Sequence, residues 1–134
     1  MQNRIRRKVR THNDGSDVIE IDALEFHYPQ GEFHLTIPQM AVSQGEKVAV
    51  IGPSGSGKTT LLNLIAGISR PQQGTVTVAG ECVSACNDAR RRDFRITNIG
   101  FVFQDFELLD YLNVHDNILH PYRISRALKL NNDV

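Results

Sequence analysis

Cysteine is scarce, net charge is absent and no apolar run approaches the length of a bilayer span. The only two cysteines among the 134 residues, Cys82 and Cys86, stand four apart with no second pair and no nearby histidine. That spacing excludes a disulfide framework and a zinc site with the usual ligand set, so both read as reduced thiols at a strand end or loop. Fifteen basic residues balance fifteen acidic ones, for a formal net charge of zero, so nucleic-acid binding through bulk positive charge is not expected. No apolar stretch is long enough to span a membrane, and the basic start of the chain has no apolar core behind it. Neither a spanning helix nor a secretory signal is expected, which points to a cytoplasmic chain. The bulk composition, 40% hydrophobic and 22% charged, suits a single folded domain with one core rather than a disordered chain.

The first half of the chain divides by pattern. Arg4, Arg6, Arg7, Lys8 and Arg10 crowd the start and Asn13-Asp14-Gly15-Ser16-Asp17 follows as a turn-rich connector, so residues 1–17 are expected to form a flexible basic tail. From Val18 to Phe26 apolar and acidic residues alternate for part of the length, as in a half-buried strand. Phe33-His34-Leu35-Thr36-Ile37 repeats the alternation after Gln30-Gly31-Glu32, which predicts a hairpin, with Pro38 ending its ladder. Ser43-Gln44-Gly45-Glu46 reads as a tight turn. Lys47-Val48-Ala49-Val50-Ile51 is a compact, β-branched apolar run that suits a strand buried on both faces.

The residues that follow carry the chemistry. Gly52, Gly57, Lys58 and Thr59 fill the pattern GxxxxGK(S/T) within Gly52-Pro53-Ser54-Gly55-Ser56-Gly57-Lys58-Thr59-Thr60. Gly52, Gly55 and Gly57 have no Cβ, so the backbone can approach an anion closely. Successive N–H groups then face one concavity at the positive end of the next helix. Lys58 can set its ammonium on the β- and γ-phosphates, and the Thr59 hydroxyl can serve a bridging Mg²⁺. The helix itself is read from Leu61-Leu62-Asn63-Leu64-Ile65-Ala66-Gly67-Ile68, apolar nearly all round and therefore expected inside a fold.

Beyond it, Pro71 and Gly74 break the pattern, and Thr75-Val76-Thr77-Val78-Ala79-Gly80 reads as a short strand. Asn87 to Arg95 reads as a short helix capped by Asn87 or Asp88, its four arginines a solvated face. Asn98-Ile99-Gly100-Phe101-Val102-Phe103 returns to a buried-strand pattern that ends at Gln104-Asp105. A polar residue just past the carboxyl end of such a strand faces the ligand crevice, where Gln104 can orient a water or complete a metal shell. Asn113 is expected to cap a further helix. Tyr28, at the end of the first strand, can stack on a purine face, although a half-buried structural tyrosine has the same local pattern.

The order Tyr28, Gly45-Glu46, Gly52 to Thr60, Gly74-Thr75-Val76 to Gly80, then Ile99-Gly100-Phe101-Val102-Phe103-Gln104 resembles the nucleotide-binding domain of ATP-binding cassette (ABC) transporters. The resemblance runs from about Val18 to about Ile118 and is strongest to the bacterial group serving lipoprotein release and macrolide export. It implies an α/β fold, a P-loop NTPase (RecA-like) core with an N-terminal antiparallel β subdomain, over 18–134. It implies ATP and Mg²⁺ as ligands, Tyr28 as the adenine platform, Gly52 to Thr60 as the Walker A loop, and Gln104 as the Q-loop glutamine that meets Mg²⁺ or the attacking water. Lys58 and Gln104 are then the catalytic candidates, and Thr59 and Gln104 the metal ligands. The implied partners are transmembrane permease subunits and a second nucleotide-binding domain, with the protein peripheral on the cytoplasmic membrane face and no nucleic acid expected.

Residues 105–134 contain no LSGGQ signature, no Walker B acid and no switch histidine. The chain is therefore expected to be the amino-terminal part of such a domain, able to bind ATP weakly, inactive alone and prone to aggregate. Two other readings stay open. One is a different P-loop enzyme, a small kinase or GTPase with Asp105 on the Mg²⁺ side. The other is a nucleotide-binding fragment without catalysis, or a DNA-repair type of ABC ATPase using its basic tail.

Overall fold

The computed structural model describes residues 3–4, 17–103, 107–125 and 127–128, which fall into two compact units meeting in sequence at Asn87 and Asp88. Unit one is built on a five-stranded sheet of order β1-β3-β2-β4-β5, formed by β1 (Asn3–Arg4), β2 (Asp17–His27), β3 (His34–Ser43), β4 (Gln73–Val78) and β5 (Glu81–Cys82). All neighbours are antiparallel except β1 against β3. Within the segment read as a tail, Asn3–Arg4 forms β1 and Asp17 opens β2; the other residues of 1–17 lie outside the described ones.

The expected hairpin is present, with Phe26 opposite Leu35 and Ile21 opposite Met40. Its buried residues show why the alternation in β2 is only partial. Ile21 is buried, then the inward set slips by one residue to Leu24 and Phe26. The slip falls at Ala23, whose φ is 45°. There Ala23 and Leu24 together face the single residue Gly74 between the pairs Asp22–Thr75 and Glu25–Gln73, a bulge that returns Leu24 and Phe26 to the core side. Pro38 does not end the ladder as expected. Leu24 pairs with Ile37 and Asp22 with Gln39, so the residue without an N–H falls at the kink, where a proline is tolerated. The turn at 43–46 is also present, closed by a bond from Glu46 N–H to the Ser43 carbonyl at 3.1 Å.

A helix, α1 (Lys58–Ile65), packs against β4 and buries Thr60, Leu61 and Leu64. It is less enclosed than its composition predicts: Leu62 is exposed. β4 turns into β5 through Ala79 and Gly80, both with positive φ as a two-residue hairpin loop requires. One 3₁₀ turn (Val83–Ala85) follows, placing Ser84 Oγ to accept from Val76 N–H at 3.0 Å.

Two expected strands are not formed. Residues 47–51 carry no strand pairing, and Ile51 is 91% exposed. Residues 99–103 likewise run without a ladder, with Val102 95% exposed. A buried parallel strand exists only through hydrogen-bonded neighbours brought in by long crossovers. Among the described residues no strand supplies that edge to either segment. The parallel part of the expected sheet is thus absent from the described residues, while the antiparallel part is complete enough to hold a core.

Unit two contains α2 (Asp88–Asn98) and α3 (Val114–Ile124). α2 has Asp88 in its first turn and Arg95 in its last, the charge order that suits the helix dipole, and it buries Phe94. Its arginines are not uniformly solvated. The Arg91 side chain is largely covered and ion-paired with Asp88, and partial burial together with Arg91 and Arg92 holds the Arg95 pKa below its ordinary value. α3 starts as expected at Asn113, whose side chain accepts from Asp116 N–H at 2.8 Å.

Candidate functional site

Residues 52–60 form a tight loop running into the first turn of α1. Gly57 is the N-cap of the helix, with φ 95°, and a β-carbon there would lie 2.9 Å from the Phe33 ring. Both the left-handed backbone and the close ring exclude other residues at this position. At Gly52 a β-carbon would meet Ser56 Oγ at 2.7 Å, so the Ser56 hydroxyl would have to turn aside, whereas Gly55 has open space around it. No side chain caps the helix start and no acidic residue lies in its first turn. The partial positive charge of those N–H groups is therefore not offset by the helix's own residues.

Lys58 lies across the loop. Its Nζ donates to the carbonyls of Gly52 at 2.9 Å and Pro53 at 2.7 Å, with Ser56 Oγ at 3.5 Å. An ammonium has three donors and no acceptor, so this geometry holds the cation against the carbonyls of its own loop. Thr59 is exposed and Thr60 is buried, so the two hydroxyls of the helix start point to different surroundings.

Tyr28 comes to the same place from a distant part of the sequence. It follows β2 directly, and the end of that strand is clamped by Gln72, which accepts from His27 N–H at 3.0 Å and donates to the His27 carbonyl at 2.9 Å. The Tyr28 ring meets Phe26 edge-on with centroids 4.9 Å apart and Phe33 at 5.6 Å, and its hydroxyl lies 3.0 Å from Thr60 Oγ1. It remains 40% exposed, which leaves ring surface for a planar ligand. Sequence pattern alone does not single out Phe33 or Gln72. Phe33 stands in the hairpin alternation, and its place between Tyr28 and Gly57 depends on a fold contact that no local spacing encodes.

Thus the aromatic candidate and the loop candidates are brought together, Tyr28 beside Gly52 to Thr60. Gln104 and Asp105 lie outside the described residues. Among the described residues no group of three or more His, Cys, Asp or Glu side chains could hold a metal ion by itself. The exposed Thr59 hydroxyl is a hard oxygen donor of the kind that suits a magnesium ion. Among the same residues no helix is long and apolar enough to cross a membrane. Cys82 and Cys86 are not joined in a disulfide, and the Cys86 thiol donates to Glu81 Oε1 and to the Cys82 carbonyl, each at 3.4 Å.

Comparison with known proteins bears on this geometry. A family model described as ABC transporter matches residues 35–134. The chain is 38% identical over 120 residues to the lipoprotein-releasing system ATP-binding protein LolD of Xanthomonas oryzae pv. oryzae, covering 87% of this chain and 49% of that protein. It is 48% identical over 88 residues to YvcR of Bacillus subtilis, an uncharacterized ABC transporter ATP-binding protein, covering 66% of this chain and 34% of that one. Among solved structures, the ATP-binding cassette MJ0796, in a dimeric post-hydrolysis state bound to ADP and Pi, matches with a TM-score of 0.71 and 28% identity. That match covers 85% of this chain and 50% of the cassette. The chain spans about half the length, or less, of the curated relatives it matches.

Proposed function

Because the chain belongs to the ABC transporter family, we propose that it binds MgATP at residues 52–60 as part of a transporter's ATP-binding subunit. The observation that carries this reading is the meeting of three features in one place: a glycine-rich loop crossed by Lys58, a helix start without a side-chain cap and the half-exposed ring of Tyr28. The loop amides and Lys58 take the β- and γ-phosphates. Lys58 gives up its bonds to the Gly52 and Pro53 carbonyls for phosphate oxygens, an exchange of neutral acceptors for charged ones that favours the ligand. Thr59 serves the magnesium ion, and the exposed face of Tyr28 takes the adenine. Gln104 is assigned to the magnesium or water side of the γ-phosphate.

The bound ADP and Pi of the MJ0796 cassette, and its dimeric form, support nucleotide binding here and pairing with a second ATP-binding domain in the whole protein. Similarity to ABC transporter ATP-binding proteins such as LolD supports transmembrane permease partners and a peripheral place on the cytoplasmic membrane face. Residues 18–134 are assigned to the nucleotide-binding domain, whose sheet Asn3–Arg4 joins as β1. Phosphoryl transfer needs a positioned water and neutralised charge beyond the cradle. Calorimetric titration with MgATP tests the proposal. Saturable binding is expected, weakened about ten- to a hundredfold in Lys58→Ala, the range for losing charge-assisted hydrogen bonds. Equal affinity of wild type and Lys58→Ala would contradict it.

A further inference from the structure

Three side chains converge on Tyr28, and they do different jobs. The Phe26 and Phe33 rings confine it laterally, at 4.9 and 5.6 Å between centroids. Such contacts hold the body of the ring and leave its hydroxyl end to a polar partner. The hydrogen bond between the Tyr28 hydroxyl and Thr60 Oγ1, at 3.0 Å, fixes the far end of the ring. Thr60 is the third residue of α1 and only 6% exposed, so its hydroxyl is largely withdrawn from solvent and its bond to Tyr28 is worth keeping.

We propose that Thr60 is a positioning residue: its hydroxyl tethers the Tyr28 ring to the first turn of α1, so that the base platform and the phosphate cradle form one body. The span between a bound purine and its polyphosphate is then set before the ligand arrives. An untethered ring at the end of a strand would have to be ordered on binding, which weakens affinity by about two- to tenfold. This inference rests on the reading of Tyr28 as the base platform and of 52–60 as the cradle.

Magnesium tripolyphosphate engages the cradle alone, whereas MgATP engages both parts, so the ratio of their affinities isolates the platform. Calorimetry on the full 134-residue chain is expected to show that ratio falling about two- to tenfold in Tyr28→Phe and in Thr60→Val. The double variant should fall no further than either single one, and Thr60→Ser should restore the wild-type ratio. If Tyr28→Phe and Thr60→Val keep the wild-type ratio while Tyr28→Ala loses it, the ring is a platform without a tether and the inference is overturned. Additive losses in the double variant overturn it too. If wild type binds both ligands equally, the platform reading of Tyr28 itself fails. If it binds neither, the nucleotide-binding reading fails.

Discussion

Gly74 lies against Ala23 so closely that a β-carbon built on it would stand 2.3 Å from the Ala23 carbonyl oxygen. The contact is backbone on backbone, at the bulge that lets Leu24 and Phe26 reach the core after Ile21. Neither partner can swing aside as a long side chain could. Gly74→Ala is therefore expected to destabilise unit one by more than about 2 kcal/mol, combining left-handed strain (φ 80°) with displacement of β4 from β2. Gly80→Ala has a similar φ of 78° but open space around it, and should cost only about 1 kcal/mol. Urea melts of the two variants, compared at matched protein concentration, check the contrast. Equal losses would contradict the close approach.

The start of α3 carries a pH dependence of defined sign. The Arg123 guanidinium, hydrogen-bonded to Asp116 at 2.8 Å, holds the Asp116 carboxyl below the ordinary carboxylate range, helped by Asn113 and by charge from His115. A carboxyl whose folded pKa is depressed contributes stability that is present above its unfolded pKa, about 3.9, and lost as pH falls through the folded value. Asp116→Asn should thus lower α3 stability at neutral pH and have no further effect below that window. Amide exchange of α3 in wild type and variant at both pH values checks this, and salt should shrink the difference because the pair is exposed.

Asn117 ties the segment before α3 to the helix. Its Oδ1 accepts from Leu109 N–H at 2.8 Å, while its Nδ2 donates to the carbonyls of Leu109, Leu112 and Asn113 at 3.0, 3.0 and 3.1 Å. Asn117→Asp keeps the acceptor and turns the donor into a second acceptor facing carbonyl oxygens. The loop amides at Leu109 and Leu112 should lose exchange protection while the middle of α3 retains it. Unchanged protection at Leu109 would show that the loop is held by other means.

Val102 stands 95% exposed in an apolar stretch without a ladder. Unpaired apolar segments rich in β-branched and aromatic residues recruit other chains. Val102→Lys is expected to raise the concentration at which light scattering appears, with little change in melting. A variant that aggregates as readily as wild type would place the sticky surface elsewhere.

What the sequence made legible is what it encodes locally. The hairpin followed from alternation on either side of Gln30-Gly31-Glu32, the 52–60 loop from fixed glycine and lysine spacing, and the α3 start from Asn113. The segments 47–51 and 99–103 show the limit. Their apolar runs state a capacity for burial, but a strand also needs a neighbour, and none pairs with them among the described residues. Pro38 misled for a related reason: a missing N–H matters only where a ladder bond falls, and here it falls at a kink. Tyr28 was legible as a residue type and a position, yet its bond to Thr60 spans 32 residues of sequence and exists only in the fold.

Hydrogen–deuterium exchange over residues 52–60, with and without MgATP, tests the central claim most directly. If the loop amides and the start of α1 cradle a polyphosphate, exchange there should slow on adding MgATP, and Lys58→Ala should need about ten- to a hundredfold more nucleotide for the same protection. Identical exchange in the two conditions at saturating nucleotide, or protection confined to other segments, would contradict the account.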